Sequence, residues 1–275
     1  MPSRERLDKL LVLRGLAKSR DLAKAYIMEG KVFVDGRKVA KAGMSVSEKS
    51  DIALKGEALP YVSRGGLKLE AAIRYFEIDI HNKIIMDVGC STGGFTDCLL
   101  KMGAKKVYCI DVGYGQLAWS LRNDPRVIAM ERTNIRYLDR IVRERTDEQR
   151  HVGPKKATRV KQDLDELING SIDMATVDVS FISLTKVVPA ISAFLRESAE
   201  MILLVKPQFE VGKGEVGKGG IVRDEEKRLR AVQGVKADLE HIGLMTVGIF
   251  RSPIPGHKGN IEYFLYMKKG EHGRR

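Results

Sequence analysis

The sequence predicts an α/β fold, a mostly parallel seven-stranded sheet with helices on both faces, preceded by a small N-terminal α+β unit. Three observations lead there. From residue 64 onward, short apolar runs alternate with stretches of helical period, as strands joined by crossover helices do. One run, Ile84-Ile85-Met86-Asp87-Val88, passes straight into a glycine-rich turn, Gly89-Cys90-Ser91-Thr92-Gly93-Gly94, and a helix pattern opens at Phe95-Thr96-Asp97. Upstream, residues 1–58 carry two short helical patterns and then paired strand signals around Asp35-Gly36, which makes a compact, local unit.

In that first unit, Leu7, Leu10, Leu11 and Leu16 mark one helix and Leu22, Ala23, Tyr26 and Ile27 a second. The break falls near Ala17-Lys18-Ser19-Arg20, with Ser19 or Asp21 as the cap of the second helix. That helix stops at Gly30, and 31–39 reads as two strands about an Asp-Gly turn. Arg4, Arg6, Arg14, Lys18, Arg20, Lys24 and Lys31 gather at the helix ends and the intervening turn, where they can meet phosphates; a solvated basic surface accounts for the same charges equally well. Lys55-Gly56-Glu57-Ala58-Leu59-Pro60 reads as linker, dividing the chain into 1–58, a joint at 59–63, and 64–275. A helix is then expected over 67–76 with Lys68 in its first turn. The helix dipole favours negative charge there, so a cation in that position suggests a functional role.

Strands are predicted over 84–88, 106–111, 127–130, 172–179, 201–206, 244–250 and 261–267, and further helices over 94–102, 115–122, 185–195 and 224–241. In such sheets ligands bind beyond the carboxyl ends of the strands, where the strand order reverses. Residues that end strands therefore matter most. Asp111 ends the second strand about twenty residues after the glycine turn, a place where an acid commonly accepts hydrogen bonds from ribose hydroxyls. Asp178 sits at the tip of the fourth strand. Lys206 follows five apolar residues, so it is either exposed or beside a carboxylate such as Asp178, because an unpaired buried cation is costly. Glu262 lies among apolar neighbours at the start of the last strand. Each residue alone is ordinary, but together at one sheet edge they make a site. The turn, Gly-x-Ser-x-Gly-Gly, departs from the dinucleotide spacing Gly-x-Gly-x-x-Gly, and turns of this kind serve dehydrogenases and methyltransferases alike. The densely charged stretch 139–165 has too little apolar content for a core of its own and reads as a solvated helical or mobile excursion.

The formal net charge of +12 favours a polyanionic partner, nucleic acid first and an anionic membrane surface second. No apolar run approaches the roughly 20 residues of a membrane span, and the first residues lack the apolar core of a signal peptide, so cytoplasmic residence is expected. Cys90, Cys98 and Cys109 have no metal-ligand spacing, and neither a disulfide framework nor a metal site is indicated. Gly212-Lys213-Gly214-Glu215-Val216-Gly217-Lys218-Gly219 nearly spells a triphosphate-binding loop, but Gly219 has no hydroxyl for Mg²⁺ and no helix pattern starts there. A glycine lid over the substrate is the better reading.

Two resemblances add to this. Arg6-Leu7-Asp8-Lys9-Leu10-Leu11, Ser19-Arg20 and Ile27-Met28-Glu29-Gly30-Lys31-Val32-Phe33-Val34-Asp35-Gly36 resemble the S-four-type RNA-binding domain. The segments Ser63-Arg64-Gly65-Gly66-Leu67-Lys68-Leu69, Asp87 to Thr96, Asp111 to Leu117, Glu131-Arg132-Thr133-Asn134, Asp178-Val179-Ser180-Phe181, Val205 to Glu210 and Gly259-Asn260-Ile261-Glu262 resemble the TlyA family over nearly the whole chain. The resemblance implies a Rossmann-like methyltransferase domain similar to FtsJ, behind the RNA-binding domain. It implies ribose 2′-O-methylation of ribosomal RNA or ribosomal subunits, with S-adenosylmethionine as methyl donor and no metal. The family's Lys-Asp-Lys-Glu tetrad falls on Lys68, Asp178, Lys206 and Glu262. For the cofactor, Gly89, Ser91, Gly93, Gly94 and Phe95 would line the methionine and ribose side, Asp111 would hold the ribose hydroxyls and Asn134 the adenine. The family is also known as haemolysins, so a membrane-active cytotoxin is the alternative, and an RNA-binding protein with an inactive methyltransferase domain a further one. No role is carried onto 139–165.

Overall fold

The computed structural model describes residues 3–28, 30–55, 59–149, 165–167, 169–212 and 214–270. Residues 56–58 of the linker and most of the charged stretch beyond 149 lie outside these residues, as does Lys213 in the glycine loop.

The N-terminal unit comprises β1 (Arg4–Arg6), α1 (Leu7–Leu13), α2 (Arg20–Met28), β2 (Val32–Val34), β3 (Arg37–Lys38), β4 (Ser45–Ser47) and β5 (Ile52–Leu54). Of the two candidate caps, Ser19 is the one in place, with its Oγ accepting the Leu22 amide at 3.2 Å. Leu7, Leu11, Ala23, Ile27 and Val32 close a small core of their own. Asp8 is fully buried beside that core and takes hydrogen bonds from Arg6 at 3.0 Å and Arg20 at 2.9 Å. Burial works to raise its pKa, but the two guanidinium groups outweigh this and hold the carboxyl at about 2. Arg14 donates to the carbonyls of Glu48 and Ser50, and Arg4 to that of Ser45. Four of the seven basic residues expected to face RNA therefore also brace the unit itself.

The second unit follows as α3 (Arg64–Tyr75), β6 (Ile84–Val88), α4 (Gly94–Lys101), β7 (Lys106–Ile110), α5 (Trp119–Arg122), β8 (Val127–Met130), α6 (Leu138–Gln149), β9 (Ile172–Val177), α7 (Val188–Ser192), β10 (Leu195–Val205), α8 (Pro207–Glu210), α9 (Glu225–His241), β11 (Leu244–Arg251) and β12 (Tyr263–Lys269). Seven strands form one sheet in the order β11-β12-β10-β9-β6-β7-β8. The five strands from β10 to β8 run parallel, whereas β12 is antiparallel to both β10 and β11. Successive residues of one strand feed opposite cores: Met86 and Val88 belong to the cluster on one face and Ile85 to the other, as Leu203 and Val205 oppose Ile202 and Leu204. Strand order reverses between β6 and β9, which puts the switch point at the ends of Val88 and Val177.

Several boundaries differ from those expected, for identifiable reasons. Helix α3 begins at Arg64, after extended Ser63, so Lys68 stands in its second turn and the conflict with the helix dipole does not exist. The predicted helix 115–122 shortens to α5, because Gly113 and Gly115 give their amides to Asp111 and Glu131 at 2.7 and 2.8 Å and Gly115 takes a positive φ. The predicted helix 185–195 shortens to α7 with a 3-10 turn at Leu184–Lys186, because β10 begins at Leu195. The exposed run Arg196-Glu197-Ser198 and a register break between Leu195 and Glu200 hide that strand's first half from an apolar pattern. Part of the charged excursion is α6, whose Leu138 and Val142 join the core.

Candidate active site

The glycine turn after β6 adopts positive φ at Gly89 (82°), Ser91 (48°) and Gly93 (93°). Gly89 is required for close approach as well: a Cβ there would lie 2.4 Å from the Asp178 carbonyl oxygen. The Asp178 amide in turn donates to the Val88 carbonyl at 2.9 Å, so the turn and the tip of β9 touch through backbone alone. Asp111 fixes the turn from the other side, its carboxylate accepting the Ser91 amide at 2.8 Å and the Gly113 amide at 2.7 Å.

A cavity of about 620 Å³ opens in front of this turn. Gly89, Ser91, Gly94 and Phe95 form part of its wall, as do Lys68 and Asp178. Gly93, Asp111 and Asn134 are not in that wall. Gly93 serves packing, since a Cβ there would strike Leu121 at 2.3 Å and Leu117 at 2.8 Å. Asn134 caps the 3-10 turn Ile135–Tyr137 by accepting the Arg136 amide at 3.1 Å.

The four charged residues arrive from four distant segments and meet as two pairs. Lys206 Nζ lies 2.6 Å from Asp178 Oδ1 and donates to Ser180 Oγ at 3.0 Å. Lys68 Nζ donates to Glu262 Oε2 at 2.6 Å. Glu262 is 2% exposed and lies against the backbone of Gly256, where a Cβ would come within 1.9 Å of its Oε1. Each charge is thus taken largely out of water with its partner in place, the condition under which a buried ion can persist. Ser180, the second partner of Lys206, carries no signal of its own in the sequence.

Two further residues are not evident from sequence patterns alone. Asp87 is completely buried under the turn and accepts hydrogen bonds from Thr96 Oγ1 at 2.6 Å and Thr176 Oγ1 at 3.1 Å. An acid inside the otherwise apolar run 84–88 is the one signal that could reveal it. Burial pushes its pKa up to about 7, with the nearby Asp178 charge adding to the rise and the two hydroxyls opposing it. The folded chain therefore keeps this proton to higher pH than an unfolded chain, whose carboxyl titrates near 3.8. Its contribution to stability is complete below about 4 and is lost as pH rises to about 7. In Asp87→Asn the group no longer titrates, so denaturant unfolding at pH 5 and pH 8 should differ by ~2 kcal/mol less than in the parent protein.

Asn260 is the second. Its buried side chain donates to the Gly220 and His257 carbonyls at 2.9 and 3.2 Å and accepts the Val222 amide at 3.2 Å. It clasps the glycine loop after β10 to the loop that leads into Glu262. The glycine loop is thereby pinned along the site's border, and the helix that follows it, α9, starts at Glu225. No triphosphate-loop geometry arises at Lys218.

The FtsJ-like methyltransferase family matches residues 61–269, and the S4 domain family matches residues 5–52. Fold and site together make this chain a methyltransferase of the FtsJ-like class, carried behind an S4 domain. Among its relatives is the 16S/23S rRNA (cytidine-2′-O)-methyltransferase TlyA of Mycobacterium tuberculosis, 43% identical over 98% of this chain and 91% of that protein. Hemolysin A of Brachyspira hyodysenteriae is 40% identical over 95% of this chain and 99% of its own length. A solved structure described as a hemolysin from Streptococcus thermophilus superposes with a TM-score of 0.69 at 38% identity, covering 98% of this chain and 90% of the other. The chain belongs to the TlyA family.

Proposed function

We propose that this protein methylates the 2′-hydroxyl of a ribose in ribosomal RNA, using S-adenosylmethionine. The observation that carries the reading is the convergence of the Lys206–Asp178 and Lys68–Glu262 pairs beside the glycine turn, at the switch point of the sheet. The relative that acts on 16S and 23S rRNA lends the substrate class.

The residues fit the cofactor. The turn brings Gly89, Ser91 and Gly94 to the cavity wall, where a nucleoside can lie against them, and Phe95 offers an apolar surface beside them. Asp111 is held by two amides and retains lone pairs for ribose hydroxyls. When bound, S-adenosylmethionine supplies an electrophilic sulfonium methyl. Everything else falls to the protein. A ribose hydroxyl is a weak nucleophile; as its O–C bond forms, the sulfur–methyl bond would break to leave a neutral thioether, and the hydroxyl proton would pass to solvent. The Lys206 ammonium, fixed by Asp178 and Ser180, stabilises the negative charge that develops on that oxygen. Lys68, oriented by Glu262, holds the hydroxyl in line with the methyl group, so that much of the acceleration comes from positioning. Asn134 shapes the adenine side from behind the wall, and the basic residues of the S4 domain dock the RNA.

The test is to map 2′-O-methyl positions on ribosomal RNA treated with the purified protein and S-adenosylmethionine. A new modified ribose is the expected result; RNA left unmodified on both subunits would refute the reading. The haemolysin names of relatives suggest a membrane activity instead. No helix among the described residues is long and apolar enough to cross a membrane. Lysis of lipid vesicles by the RNA-free protein would support that second reading.

A further inference from the structure

We infer that Lys24 and Lys258, one from each domain, grip the phosphates that flank the target ribose at the rim of the catalytic cavity. This rests on the RNA 2′-O-methylation proposed above and specifies how the RNA is held.

The cavity that contains Gly89, Phe95, Lys68 and Asp178 is not walled by the methyltransferase domain alone. Asp21, Lys24 and Ala25 of α2 form part of it, and so do Pro255 to Lys258 of the loop before β12. The RNA-binding domain thus reaches into the chamber where transfer occurs. Other cations of that domain have internal duties: Arg6 and Arg20 hold buried Asp8, and Arg14 holds two carbonyls. Lys24 instead pairs with Asp21 at 2.9 Å, both side chains being partly exposed at 43% and 33%. A pair so exposed is weakly held, so a phosphate can draw the ammonium away at small cost.

Lys258 comes from the methyltransferase domain, in the loop before β12. It adopts a left-handed backbone conformation (φ 55°, ψ 19°), which is unfavourable for a residue with a side chain and persists only where surrounding structure enforces it. Asn260 supplies the enforcement, through the clasp that ends this loop. The Lys258 ammonium is aimed at the Gly219 carbonyl, 3.0 Å away. A neutral carbonyl orients the cation without cancelling its charge, and among the described residues no carboxylate pairs with it. Each ribose of an RNA strand is flanked by two phosphates. A chamber that admits the 2′-hydroxyl must accept both at its rim, and one lysine from each domain in the same wall meets that need.

The experiment uses the full chain and its variants Lys24→Ala, Lys258→Ala and the double substitution, with Lys105→Ala, exposed and outside the cavity wall, as the comparison. Affinity for a ribosomal RNA fragment is measured over a salt series, and turnover at saturating RNA with S-adenosylmethionine present. Each cavity lysine should reduce the salt slope by about one and turnover by about tenfold, with cofactor affinity unchanged. Lys105→Ala should leave both at the parent values. A double variant with the parent slope and turnover overturns the inference, and so does a Lys24→Ala that behaves like Lys105→Ala. A parent protein that binds RNA and yields no 2′-O-methyl product refutes the proposed function instead, while the salt slopes still decide the clamp.

Discussion

Lys206→Ala is expected to lower methyl transfer to ribosomal RNA by about 10²–10³-fold while leaving S-adenosylmethionine affinity within about threefold of the parent. The expectation follows from position. Lys206 follows the last residue of β10, its ammonium is held between Asp178 and Ser180, and it is absent from the cavity wall that faces the cofactor turn. Losing it removes the charge that would meet the developing oxyanion and leaves Asp178 without its cation. Lys206→Arg should restore little, because a planar guanidinium cannot occupy the site of a compact ammonium held by two partners. Single-turnover kinetics with saturating RNA, alongside calorimetric titration of the cofactor, would separate the two effects. Transfer at the parent rate in Lys206→Ala would take this residue out of the mechanism.

Gly89→Ala should be as damaging by a different route, removing cofactor affinity and transfer together. The methyl group would sit 2.4 Å from the Asp178 carbonyl, and φ of 82° is unfavourable for any residue with a Cβ. Strain of about 1–2 kcal/mol for the backbone adds to the cost of moving a strand tip. Because that tip carries Asp178, displacement of the turn displaces the Asp178–Lys206 pair. Calorimetric titration should show cofactor affinity falling at least about tenfold, and thermal unfolding a midpoint several degrees lower. A variant that binds the cofactor normally but fails in transfer would mean that the turn and the pair move independently.

The sheet is legible in the sequence because its strands are apolar on both faces and end in conspicuous charges. Asp178 and Lys206 can be placed on neighbouring strands, and β9 and β10 are indeed parallel neighbours. What local patterns do not show is the detail fixed by contacts between distant segments. The first half of β10 is polar and exposed, so no apolar run reveals it. Lys68 stands out in the sequence for a conflict with the helix dipole that the earlier start of α3 removes. The seven basic residues of the S4 domain are visible as charge, yet nothing local shows that Arg6 and Arg20 converge on a buried aspartate. Asp87 is within reach, since an acid in a run that is otherwise wholly apolar must find donors, but its partners Thr96 and Thr176 lie on a helix and another strand.

The Lys68–Glu262 bond joins residues 194 positions apart. It connects the first helix of the methyltransferase domain to the residue just before β12, a strand that lies inside the sheet between β11 and β10. During synthesis, Lys68, Asp178 and Lys206 are all made before Glu262 emerges. The growing polypeptide thus holds an unfinished site until that last partner has been translated, and activity begins only once the strand behind it can join the sheet.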